Sequence, residues 1–110
     1  MQLVVVREER AADLALGLSG ELDLASAAVL RHEVAQALAR TPKTLYLDLT
    51  ATTFLDSTGC RELIATVRSG SAAGSAVELV VPPENRKIRR VLDLMQFGEL
   101  LPVRDALPAS

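Results

Sequence analysis

The sequence predicts a single α/β domain over residues 1–110, with a mixed, mostly parallel sheet of four to five strands, an antiparallel N-terminal edge and three to four helices. Three observations lead there. Two apolar runs near the start are separated by a short polar stretch, as in a hairpin. The segments that follow switch repeatedly between helical spacing and strand-like runs. Hydrophobic residues make up 49% of the chain, yet the only aromatics are Tyr46, Phe54 and Phe97, so the core must be aliphatic.

Leu3 to Val6 and Leu14 to Leu18 read as strands, with the polar segment Arg7 to Asp13 between them. Gly20 is expected to end the second strand. Residues 25–39 then take helical spacing, because Leu30, Val34 and Leu38 recur every four residues. Ser26 or Asp23 can supply the N-cap, and Pro42 follows the helix as a stop signal. Residues 44–49 form the next strand, alternating Leu45, Leu47 and Leu49 against Tyr46, Asp48 and Thr50.

Residues 57–68 return to helical spacing, with Cys60, Leu63, Ile64 and Val67 on one face. The stretch from Ser69 to Ser75 reads as a flexible turn, and Val77 to Val81 as a strand that Pro82-Pro83 breaks. A third helix over residues 84–95 carries Ile88, Val91, Leu92 and Met95, with Gly98 suited to its C-terminal cap. The tail from Leu100 onward is weakly patterned. Strands alternating with helices imply parallel neighbours joined by crossovers.

Composition narrows the function. A formal net charge of −2 and three aromatics argue against a general nucleic-acid binder. The lone cysteine, Cys60, rules out an intramolecular disulfide and a cysteine-rich zinc site, and it reads as a small core residue. The apolar start meets Arg7 too soon for a signal peptide or membrane span, so a cytoplasmic protein without membrane insertion is expected.

The most informative segment is Asp56-Ser57-Thr58-Gly59, eight residues beyond Asp48. It places a serine hydroxyl in the first turn of a helix, where backbone N–H groups lack partners and the dipole favours a phosphate. On composition alone this is an ordinary cap first and a modification site second. A serine hydrolase would need a base, but the single histidine, His32, falls mid-helix, and the serine lacks the glycine of a nucleophile elbow. Asp48 could suggest a phospho-accepting aspartate, but no paired acidic cluster follows either early strand to build a metal site. The glycines at 70 and 74 lack the Lys-Ser/Thr of a phosphate loop. Arg86, Lys87, Arg89 and Arg90 form a basic cluster that reads as a solvated face or as a docking surface for an acidic partner.

Four segments together resemble the STAS domain family, and within it the bacterial anti-sigma factor antagonists. They are Gly20-Glu21-Leu22-Asp23; Leu45 to Leu49 followed by Phe54-Leu55-Asp56-Ser57-Thr58-Gly59; Val77 to Pro82 followed by Val91-Leu92-Asp93-Leu94; and Phe97 to Val103. Two departures stand out. Cys60 takes the place of an aliphatic residue, and the short tail with Pro108 points to a C-terminal helix that is missing or reduced. The resemblance implies a non-enzymatic switch with no cofactor and no metal. The unphosphorylated domain would bind an anti-sigma factor serine/threonine kinase and so release a sigma factor. Phosphorylation at Ser57 would end binding, and a phosphatase would reset it. Asp23, Asp56, Thr58 and Gly59 would form the partner-binding surface, with Gly59 letting the partner's backbone come close. The alternative within the family is an adaptor subunit of a membrane lipid or anion transporter complex.

Overall fold

The computed structural model describes residues 2–95 and 101–109. The chain runs β1 (Val4–Arg10), β2 (Asp13–Leu22), α1 (Ala27–Ala39), β3 (Thr44–Asp48), β4 (Thr52–Leu55), α2 (Ser57–Ala72), β5 (Ala76–Val80), α3 (Arg86–Leu94) and β6 (Val103–Arg104). The sheet has the order β1-β2-β3-β5-β6, with β4 also paired to β2. Only the β1–β2 pairing is antiparallel. The mixed sheet with an antiparallel edge is therefore present, with six strands instead of four to five.

Strict alternation of leucines builds the core. Leu14, Leu16, Leu18 and Leu22 of β2, Leu45 and Leu47 of β3, and Val77 and Leu79 of β5 all point to one side of the sheet. There they meet Leu30 and Val34 of α1, Leu63 of α2 and Ile88 of α3. Cys60 is buried in this layer, as its small apolar character suggests. The opposite face is thin: Ala15, Tyr46 and Val80 are covered by Leu107 of the tail.

Sequence patterning misplaces several features. Gly20 does not end β2. The strand continues to Leu22, and its register shifts between Gly20 and Glu21 as it passes from β3 to β4. Gly20 takes φ 112°, and a Cβ there would lie 2.4 Å from the Gln2 carbonyl oxygen, so glycine is required twice over. The strand β4 was hidden inside what read as a loop, because only Thr52 and Leu55 at its ends are buried. The glycine-containing turn after residue 68 is mostly helix. Gly70 stays helical and lets α2 approach β5, since a Cβ there would come within 2.2 Å of Val77 Cγ2. Gly74, at φ 84°, makes the actual turn. Finally, the tail supplies β6, paired to β5 at Leu79–Val103 and Val80–Arg104.

Helix α3 starts later than its apolar spacing suggests because Asn85 caps it, accepting from Ile88 N. Among the described residues no helix follows α3, and none is long and apolar enough to cross a membrane. The expected cap at Gly98 and most of the closing segment from Phe97 lie outside the described residues.

Candidate functional site

The site is set by one strand pairing. Strands β2 and β4 run parallel with Leu22 opposite Leu55, and Asp56 N donates to the Leu22 carbonyl at 3.4 Å. The next residues of the two strands, Asp23 and Asp56, therefore leave the sheet side by side. Each then leads into a helix.

Asp56 is the N-cap of α2. Its backbone is extended, and its carboxylate accepts from Gly59 N at 2.8 Å. This puts Ser57 at the first helical position, with an exposed side chain. Among the described residues no hydrogen bond engages the Ser57 hydroxyl. The backbone N–H groups of Ser57 and Thr58 have no partner within the helix, as at any helix start. Thr58 is half-buried beside it.

Gly59 has a different task from the one expected of it. It is buried, and a Cβ there would sit 2.3 Å from the Leu22 carbonyl oxygen and 2.7 Å from Leu55 Cδ1. Its bare Cα faces the domain's own strands, not outward to a partner's backbone. Glycine is needed so that α2 can start against the ends of β2 and β4.

Asp23 is also engaged. Its carboxylate accepts from Ser26 N at 3.0 Å, while Ser26 Oγ donates to the Glu21 carbonyl at 2.7 Å and accepts from Asp23 N at 3.0 Å. Asp23 thus folds the entry to α1, and Ser26, though at the N-cap position, sends no side-chain bond into the helix. Both carboxylates stay half-buried next to the start of α2.

The other candidates fall away from the site. Cys60 lies directly beneath it, and burial pushes its thiol up to about 11, helped by the negative charge of Asp56. The thiol is therefore neutral and unreactive at ordinary pH. His32 lies exposed on α1, 3.2 Å from the Gln36 side chain, and no hydrogen bond joins it to Ser57. Asp48 closes a turn by accepting from Thr50 N at 3.0 Å. The basic cluster divides. Arg89 is spent on the Val81 carbonyl and on Asp105 of the tail, whereas Arg86, Lys87 and Arg90 are exposed.

Sequence reasoning missed two residues here. Asn85 Nδ2 donates to the carbonyls of Leu49 at 2.9 Å and Thr52 at 3.0 Å, tying the β3–β4 turn to the start of α3. Phe54 points outward from β4, 39% exposed, with Lys87 Nζ 6.0 Å from its ring centroid. The signal for Phe54 was an aromatic next to Leu55 on a short strand, where only one of two neighbours can face the core.

The family model described as "Mlab, STAS domain" matches residues 5–102. The chain belongs to the STAS domain family. This STAS domain is 35% identical over 80 residues to the anti-sigma-F factor antagonist RsfB of Mycobacterium tuberculosis. The alignment covers 73% of this chain and 63% of RsfB, so it spans less than two thirds of that relative. Among solved structures, an anti-sigma factor antagonist from Mycobacterium paratuberculosis superposes with a TM-score of 0.79 at 27% identity, over 96% of this chain and 88% of that one. The Bacillus cell fate determinant SpoIIAA in its phosphorylated form shares the fold at a TM-score of 0.67 and 21% identity, covering 94% of this chain and 92% of that one.

Proposed function

We propose that this STAS domain is an anti-sigma factor antagonist whose binding is switched off by phosphorylation at Ser57. The unmodified domain binds an anti-sigma factor that is also a serine/threonine kinase, and a sigma factor is released. A phosphatase restores the starting state, and the cycle runs in the cytoplasm. The domain itself is a regulator and not an enzyme. The observation that carries this reading is the exposed Ser57 hydroxyl at the first position of α2, beside Asp23 and Asp56.

Physical chemistry supports the switch. A phosphate adds roughly −1.5 to −2 charges. At a helix N-terminus that charge gains about 0.3–1 kcal/mol from the dipole, so the fold survives modification. In a docked interface the same charge is desolvated next to two carboxylates and is repelled. A loss of about 3 kcal/mol weakens binding more than a hundredfold. Thr58 and the two aspartates line the surface that the partner covers. A domain of this fold exists in a phosphorylated form, SpoIIAA.

The test is a binding titration of the purified domain against the anti-sigma factor from the same genome, with sigma release followed in parallel. Wild type binds and displaces sigma; Ser57→Asp does neither. Equal affinity of the two proteins, or no binding by either, would refute the reading.

A further inference from the structure

The basic cluster on α3 has a use that the Ser57 switch does not supply. Helix α3 spans Arg86–Leu94 and buries Ile88 and Leu92. At 100° per residue, Arg86, Arg90, Leu94 and Lys87 fall within one arc of about 100° on the side away from those two. All four are exposed, and Leu94 reaches 71%. Among the described residues no ion pair or hydrogen bond engages the side chains of Arg86 and Arg90. Lys87 leans on Phe54 of β4, itself exposed. The result is a row of three cations between two apolar side chains, Phe54 and Leu94.

Strand β4 connects the row to the switch. Phe54 lies on β4, three residues before Ser57, and α3 packs on β4. A cleft of about 550 Å³ separates the β3–β4 turn from the start of α3, with Thr53, Asn85 and Lys87 among its walls. Asn85 holds the two sides of this cleft in register.

We infer that this α3–β4 ledge is a second docking patch for the anti-sigma factor, and that it receives an acidic segment of that partner carrying apolar residues. The inference rests on the proposed antagonist function. Charge complementarity identifies the occupant: Arg86 and Arg90, without an ion pair among the described residues, and Lys87 beside the Phe54 ring call for local carboxylates, on a chain of net charge −2. A nucleic acid fits less well, since among the described residues Phe54 is the sole aromatic on the ledge, and the aliphatic Leu94 offers no π-face for a base. Rim charges of this kind act on the association rate and its salt dependence. The ledge therefore steers the partner onto the Ser57 surface, and the apolar pair anchors it.

The experiment compares wild type with Arg86→Glu/Arg90→Glu, both full-length, against the same anti-sigma factor at 50 and 300 mM salt. Both substituted residues are exposed, so the melting temperature should not move. The expected result is an association rate at low salt at least tenfold slower for the variant, with most of the wild-type salt dependence gone. Phe54→Ala and Leu94→Ala should instead speed dissociation. If wild type binds and the charge-reversed protein binds at the same rate, the ledge is not a docking patch, although the antagonist function stands. If wild type does not bind at all, the antagonist reading itself fails. Loss in the variant of salt-dependent binding to a fluorescent DNA duplex, with partner binding intact, would overturn the acidic-segment assignment in favour of nucleic acid.

Discussion

Two helix starts lie side by side in this domain, and they treat the same residue types in opposite ways. Strands β2 and β4 are paired at Leu22 and Leu55; each is followed by an aspartate, and each helix start has a serine. At α1 the serine is consumed. Ser26 is 8% exposed, and its hydroxyl is tied to the Glu21 carbonyl and to Asp23. At α2 the aspartate alone caps the helix, and Ser57 is left on the surface. A hydroxyl that holds the fold together cannot be modified without cost to the fold. A hydroxyl the fold does not use is available to carry a signal.

The largest expected effect is on the free serine. Ser57→Asp should weaken partner binding by a hundredfold or more, equivalent to about 3 kcal/mol, while leaving the melting curve nearly unchanged. Calorimetric titration together with thermal denaturation checks both halves.

Gly59→Ala tests the frame that both helix starts share. Its Cβ would collide with the Leu22 carbonyl, a backbone atom that cannot step aside. Overpacking at such a place costs about 1–3 kcal/mol, read as a lower urea midpoint at unchanged slope. Gly59→Ala should therefore unfold the domain more easily without touching an outward-facing atom of the site.

Ser26→Ala sharpens the contrast. It removes the bond that the Ser26 hydroxyl donates to the Glu21 carbonyl and the one it accepts from Asp23 N, at about 1–2 kcal/mol in chemical denaturation. The matching change at the other helix, Ser57→Ala, should stay within about 0.5 kcal/mol of wild type. Equal losses from the two alanine variants would erase the distinction between the two starts.

Beneath α2, Cys60 gives a smaller signature. Its folded pKa is raised, so the unfolded chain releases the thiol proton first as pH climbs. Stability from this group is complete at neutral pH and is lost as pH approaches about 11. The urea midpoint of wild type should fall more steeply in that range than that of Cys60→Ala. Native protein at pH 8 should also resist alkylation until denaturant is added.

Much of this was legible in the sequence, and the misses share a cause. The leucine alternation in β2 and β3 needs only local pattern, and it located those strands. The capping role of Asp56 and the surface position of Ser57 follow from short-range chemistry, so both were legible. What failed depended on distant atoms. Gly70 looked like a turn residue because nothing local reveals that Val77 presses against it. Gly59 looked like an opening for a partner because its true neighbour, the Leu22 carbonyl, is 37 positions away in sequence. Strand β4 was invisible because four residues with two buried ends carry no alternation. Asp23 leaves the sheet beside Asp56 because Leu22 pairs with Leu55, and its bond to Ser26, which no local pattern announced, makes it part of the scaffold.

Phosphosite mapping puts the contrast between the two serines to its most direct test. Wild type, Ser26→Ala and Ser57→Ala are incubated with the anti-sigma factor kinase and ATP, then digested and sequenced by mass spectrometry. The account predicts one phosphate on Ser57 in the first two proteins and none in the third. Label retained by Ser57→Ala, or found on Ser26, would contradict it.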